Sequence, residues 1–313
     1  MPSFISANFL KGAVRQPSAP IAGGIPIPAS RPEACYVRRV HEPSPDLLAL
    51  SNALRAAGAT ALRSFRSARS HLKADGSEVS EADLAAERVL VAALSEIDPT
   101  ASIRSEEGAL RDADPDRTWF VDPLDGTSAY LDGLAHWGPT ICLVEQGRLV
   151  RGGLYLPRLD ELWLAERGGG AWLVSGGSSP VRLAPADPGP VGKHHSVAVP
   201  SRFHRVSGID WPGKLRALGS SAFHLAHVAA GFGCRPDGGG GCVAAVIARW
   251  DVWDIGAGVL LVEEAGRQIA ALDGTQFDPL TRVNEPFLAG TPDAIRRLAA
   301  TLPAARATKP PGR

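Results

Sequence analysis

Two aspartates three residues apart end an apolar run, Thr118-Trp119-Phe120-Val121-Asp122-Pro123-Leu124-Asp125-Gly126-Thr127. Pro123 cannot donate to a sheet ladder and Gly126 permits a tight backbone path, so the run reads as a strand delivering an acidic turn to a surface. Hard carboxylate oxygens on a turn, with the amides of Gly126 and Thr127 just beyond them, suit a divalent cation and a phosphate held side by side. Two further acidic clusters, Glu106-Glu107 and Asp251 with Asp254, also stand where an apolar segment begins or ends. Taken singly, each has the composition of an ordinary solvated turn. Gathered in one cleft, five or six carboxylates would raise one another's pKa and require cations to neutralise them. Convergence of the three clusters therefore implies a metal.

The elements that must position these residues follow from periodicity. Leu47, Leu48, Leu50, Leu54, Ala57, Ala61, Leu62 and Phe65 make the apolar pattern of an amphipathic helix with Asp46 near its N-cap. Lys73 to Asp83 turns the chain, and Ser80 is expected to cap a second helix over Glu81 to Ile97, ending before Pro99. Ala101 to Arg104 reads as an edge strand. Thr140 to Glu145, Val150 to Leu156 and Leu162 to Ala165 form an antiparallel meander, and the glycine-rich loops near residues 168–170 and 175–179 read as hairpin turns. Farther on, strands at Ser196–Val199, Leu215–Leu218, Val243–Ala248 and Phe287–Ala289 alternate with helices at Ser221–Ala230, Asp254–Ala265 and Pro292–Ala300. Such alternation implies layered α/β structure.

Composition narrows the classes of function. Lys+Arg and Asp+Glu balance at 33 each, so no overall field gathers nucleic acid or an anionic membrane, and a small-molecule ligand fits better. Cys35, Cys142, Cys234 and Cys242 show no CxxC pair, which argues against a disulfide framework or zinc module and for a reducing cytoplasm. His224 and His227 with Cys234 and Cys242 could be drawn as a zinc site, but helical packing explains the histidines better. No apolar run has the length to span a bilayer. Residues 1–44, rich in Pro, Gly, Ser and Ala, read as a disordered arm, and 306–313 as a tail. Between them, 45–305 is expected to form one catalytic unit with lobes at about 45–185 and 186–305. Trp137 and Trp211 are the tryptophans expected to line a pocket.

Ser105-Glu106-Glu107, Trp119 to Thr127, and Trp253-Asp254-Ile255-Gly256-Ala257-Gly258 resemble, in order and spacing, the three motifs of the inositol monophosphatase family. Lys73 to Asp83 is similar to its mobile loop, and Leu218-Gly219-Ser220-Ser221-Ala222 to its substrate loop. The resemblance implies an αβαβα sandwich, an α/β fold of the sugar-phosphatase type, and Mg²⁺-dependent, lithium-sensitive hydrolysis of a small phosphate monoester. Carried over position by position, Glu106, Asp122 and the Leu124 carbonyl would hold one Mg²⁺, and Asp122, Asp125 and Asp254 a second. Glu106 and Thr127 would activate water. Asp125, Gly126, Thr127, Gly219, Ser220, Ser221 and Asp254 would contact substrate, and Glu107 or Asp83 would reach a third ion. Homodimers are common in that family. Inositol-phosphate members often carry a glutamate before the final Trp-Asp where this chain, counted without gaps, has Ile247. Other stretches resemble the histidinol-phosphatase and 3′(2′),5′-bisphosphate nucleotidase branches.

Overall fold

Ser44 opens the first helix, α1 (Pro45–Arg63), its hydroxyl accepting from the Leu47 amide at 3.3 Å while Pro45 occupies the first helical position. The expected cap, Asp46, lies instead in the first turn and pairs with Arg151 at 2.8 Å. The structure, a computed structural model, describes residues 42–74, 76–203, 209–231 and 240–302. By contacts the chain divides into Met1–Glu33 and Ala34–Arg313, and every described residue belongs to the second unit. The expected arm, up to residue 41, and the expected tail lie outside the described residues, as do Cys35 and Cys234.

After α1 come the short antiparallel strands β1 (Ser70–Leu72) and β2 (Glu78–Ser80), then α2 (Glu81–Ile97). Ser80 caps α2 as expected, and Asp83 reaches back to the Ser80 amide at 2.9 Å to complete a capping box. The chain then enters β3 (Ala101–Ser105), β4 (Leu110–Arg111), β5 (Asp114–Asp125), helix α3 (Thr127–Leu131), and the meander β6 (Gly138–Glu145), β7 (Arg148–Leu156), β8 (Glu161–Glu166), β9 (Gly170–Ser175) and β10 (Val181–Arg182). These form one eight-stranded sheet in the order β10-β9-β8-β7-β6-β5-β3-β4. β3 is not its edge: β4 pairs outside it, Ile103 opposite Arg111.

The second sheet is built from β11 (Ser196–Ala198), β12 (Lys214–Arg216), then, after helix α4 (Ser221–Ala230), β13 (Cys242–Ile247), and, after helix α5 (Val252–Glu264), β14 (Gln268–Ala271) and β15 (Phe287–Gly290), with α6 (Pro292–Thr301) last. Its order is β12-β11-β13-β15-β14, with β12, β11 and β13 parallel and β15 antiparallel to its neighbours.

Period-2 alternation sorts side chains between three cores. On β5, Trp119 and Val121 pack with Leu50, Leu54, Leu90 and Leu94 of α1 and α2, whereas Phe120 faces the core holding α4 and α5. β6 repeats the pattern, Ile141 and Leu143 on one side and Cys142 on the other. Beyond the second sheet, Val197, Val243 and Leu288 meet Ile295 and Leu298 of α6. The layers are therefore α1/α2, eight-stranded sheet, α4/α5, five-stranded sheet, α6, the expected αβαβα sandwich. Trp137 and Trp211 are buried in these cores: Trp137 stands edge-on to Tyr130 at 4.7 Å, and the Trp211 indole donates to the His195 carbonyl. Neither is among the residues that line the cleft in front of the carboxylates, which corrects the expectation.

Helix α5 approaches its neighbours closely because side chains are missing at the contact. A Cβ at Gly256 would stand 2.3 Å from Cys142 Sγ, one at Gly152 would stand 2.8 Å from Ala257 Cα, and one at Gly258 would stand 2.6 Å from Leu225 Cβ of α4. Among the described residues, no helix is long and apolar enough to cross a membrane.

Candidate active site

β5 ends where Pro123 interrupts its pairing with β6, and the register slips between Asp122 and Asp125. Both aspartates thus arrive at the same edge. Gly126 then adopts φ +92°, where a Cβ would stand 3.0 Å from the His136 carbonyl, and starts α3. Glu106 follows directly on β3, parallel to β5, its amide bonded to the Val121 carbonyl at 3.0 Å. Asp254 comes from the other side of the molecule. It sits in the first turn of α5, where its carboxylate accepts from the Asp251 amide at 2.7 Å.

One carboxylate oxygen from each of Glu106, Asp122 and Asp254 lies within 4.8 Å of the other two. Oxygens around one small hard cation span up to about 4.2 Å, so this donor set suits such an ion. Burial, with the charges of Glu106, Asp125 and Asp254, pushes the Asp122 carboxyl well above its usual range. Asp254 is raised in the same way by burial and by Asp125. Carboxylates packed this closely are held as anions by a cation among them.

The cleft in front of them has a volume of about 750 Å³ and is lined by Glu106, Asp122, Leu124, Asp125, Gly126, Thr127, Gly219, Ser221 and Asp254, with Leu72, Gly76, Ser77, Glu78, Ser128, Arg202 and Arg249 completing the wall. Asp125 stands in it differently from the other acids. Its oxygens accept from Ser220 Oγ at 2.5 Å, the Ala222 amide at 2.7 Å and the Ser221 amide at 3.3 Å. Burial lifts its pKa to about 6 against those hydrogen bonds. It ties the β5 turn to the start of α4. Ser220 is buried and caps α4 by accepting from Phe223 N, so it positions Asp125 rather than facing the cleft. Behind the loop, His224 Nε2 accepts from the Leu218 amide at 3.0 Å.

Asp83 and Glu107 lie outside the lining of the cleft. Asp83 is fully buried, accepts from Ser80, and takes the Thr127 hydroxyl on its other oxygen at 2.9 Å; Thr127 Oγ1 is also 3.2 Å from the Leu124 carbonyl. Burial raises the Asp83 pKa despite these bonds. The Asp83–Thr127 pair is absent from the sequence reading, although the spacing Ser80-x-x-Asp83 was the signal that fixes where Asp83 goes. Lys73 bridges Glu106 at 3.0 Å and Glu107 at 2.8 Å. The pair is unequal. Burial opposes the lysine's charge, but the hydrogen bonds and charges of both glutamates hold its pKa above the usual lysine range; Glu107 is lifted by burial to about 7 even so.

The layered fold and the gathered carboxylates define an αβαβα protein whose acidic group, between the end of β5 and the start of α5, could hold a metal ion. The model of the inositol monophosphatase family matches residues 43–305, and the chain belongs to that family. It is 38% identical over 221 residues to an inositol-1-monophosphatase of Mesorhizobium japonicum, covering 66% of this chain and 76% of the relative. It is 34% identical over 200 residues to a protein named Nus factor SuhB from Xylella fastidiosa, covering 62% and 69%. The solved extragenic suppressor protein suhB of Bartonella henselae superposes with a TM-score of 0.68 at 27% identity, over 84% of this chain and all of that one.

Proposed function

We propose that the chain is a cytoplasmic Mg²⁺-dependent phosphomonoesterase acting on a small phosphorylated metabolite, with lithium as an inhibitor. The observation that carries this reading is the convergence of Glu106, Asp122 and Asp254 on the wall of an open cleft. Glu106, Asp122 and the Leu124 carbonyl would hold one ion, and Asp122, Asp125 and Asp254 a second. When bound, such ions neutralise phosphate oxygens and lower the pKa of an attacking water. Thr127 and Glu106 would orient that water, and the Glu106 carboxylate would receive its proton. Thr127 gives its own hydroxyl proton to the hydrogen bond with Asp83, which leaves its lone pairs turned toward a donor such as the water. Gly126 and Thr127 offer amides to the phosphate at the turn, and Gly219 and Ser221 line the cleft beside them.

The test is phosphate release by the purified chain, with Mg²⁺ or chelator, from inositol 1-phosphate, histidinol phosphate, adenosine 3′,5′-bisphosphate and fructose 1,6-bisphosphate. Mg²⁺-dependent turnover of at least one is expected, reduced about 1,000-fold or more in Asp122→Asn. No release from any of them would overturn the proposal. Mg²⁺-supported binding without turnover would favour a phospholigand-binding regulator, a reading to which the name of the Xylella relative lends weight.

A further inference from the structure

The wall of the cleft away from the carboxylates carries two guanidinium groups, Arg202 and Arg249. Both are exposed, and among the described residues neither has a hydrogen-bond or ion-pair partner. Topology brings them together. β11 and β13 are parallel neighbours, Ala198 beside Ala245, so the loops that follow their C-terminal ends emerge at one edge of the sheet. Arg202 lies on the loop after β11 and Arg249 on the loop after β13. The parallel partner β12 sends the Gly219–Ser221 loop to the same edge. Each arginine is followed by a buried aromatic anchor. Phe203 packs in the core beneath α6, and Trp250 is buried with its indole donating to the Glu285 carbonyl at 2.8 Å. The anchors hold the two backbones where the side chains face the cleft.

We propose that Arg202 and Arg249 form a subsite for a second anionic group, so that the preferred substrate is a phosphate monoester bearing a further phosphate or carboxylate. This rests on the phosphomonoesterase reading: one phosphate lies at Glu106, Asp122 and Asp254, and the second anion points to the arginines. Guanidinium groups pair with phosphate and carboxylate through two parallel hydrogen bonds, which neutral hydroxyls do not match. A polyol phosphate leaves both cations without a partner, whereas an ester carrying a second anionic group engages them.

The experiment compares kcat/KM within substrate pairs: fructose 1,6-bisphosphate against fructose 1-phosphate, adenosine 3′,5′-bisphosphate against adenosine 3′-phosphate, and 3-phosphoglycerate against glycerol 3-phosphate. The first two pairs report a second phosphate, the third a carboxylate. In at least one pair the member with the second anionic group is expected to lead, and Arg249→Gln and Arg202→Gln should each shrink that lead about 10- to 100-fold, through KM rather than kcat. Calorimetric binding of fructose 1,6-bisphosphate and fructose 1-phosphate to the same three proteins, with Ca²⁺ replacing Mg²⁺, gives a readout independent of turnover. If no substrate is hydrolysed, the activity reading falls, while tighter bisphosphate binding lost in Arg249→Gln would still sustain the subsite. Equal kcat/KM and equal affinity within every pair, or a lead untouched by both substitutions, would overturn it.

Discussion

Without metal, the carboxylate cluster should weaken the fold as pH rises, and Mg²⁺ should reverse that effect. Asp125 titrates at about 6 because burial outweighs its bonds from Ser220, Ala222 and Ser221, against about 3.9 for an unperturbed aspartate. The folded chain keeps a proton that the unfolded chain has released, so its stabilising effect is complete below about pH 4 and gone above about pH 6. Two pKa units correspond to about 3 kcal/mol. Asp122 and Asp254 shift in the same direction and add to the trend. For a chain of 313 residues, an unfolding entropy of roughly 0.6 kcal/mol per kelvin turns 3 kcal/mol into about 4 to 5 °C of Tm. The assay is thermal unfolding in EDTA and in Mg²⁺ at pH 5 and 7.5, read as the difference between the two melts at each pH. That difference cancels His224 and His227. Burial holds both near 4, so the stability linked to them is intact above about 6.5 and lost as pH falls toward 4, the opposite sense. Protons compete with the ion for the same oxygens. About half of that window lies above pH 5, so the Mg²⁺ increment should be at least about 2 °C larger at pH 7.5 than at pH 5. Equal increments at the two pH values, or an increment that survives Asp122→Asn, would refute the reasoning.

Thr127→Val removes the hydroxyl shared with Asp83 and Leu124; kcat should fall about 100-fold or more with little change in KM, checked by steady-state kinetics. Lys73→Ala removes the cation that occupies Glu106 and Glu107. The Mg²⁺ concentration for half-maximal activity should drop about 3- to 10-fold in a metal titration, and a rise would show that Lys73 helps to assemble the site rather than competing for it.

The carboxylates that converge stand where apolar segments begin or end, but each alone had the look of a solvated turn, and it was the resemblance of the three motifs, in order and spacing, to one family that joined them. Ser80 was legible because a serine before a helical period commonly caps it, whereas Ser220, expected to contact substrate, caps α4 and holds Asp125. Partnerships across long sequence separations were not legible. Thr127 meets Asp83 across 44 positions, which no local pattern records, and the two arginines line one cleft because β11 and β13 lie side by side. The gap-free count that placed Ile247 opposite a family glutamate pointed at a buried position in β13, among the residues packing on α4 and α5. From that stretch, the residue that reaches the cleft is Arg249, two positions later. Helix α3 went unseen because five residues leave no period to read, and β14 because Gln268 and its neighbours mix exposed and buried positions.

The missing side chains at Gly152 and Gly256 reach beyond packing. Asp254 rides on α5 and Asp122 on the eight-stranded sheet, so the gap between these two oxygen donors is the thickness of the seam where α5 seats against Cys142. Magnesium and calcium differ by only about 0.3 Å in their preferred bond lengths to oxygen. A single methyl group added in that seam at Gly152 or Gly256 is larger than this difference. In the proposed reading, discrimination between ions would be gauged by the interior of the protein, with the acidic residues acting as the jaws of a caliper whose setting screw is two absent side chains.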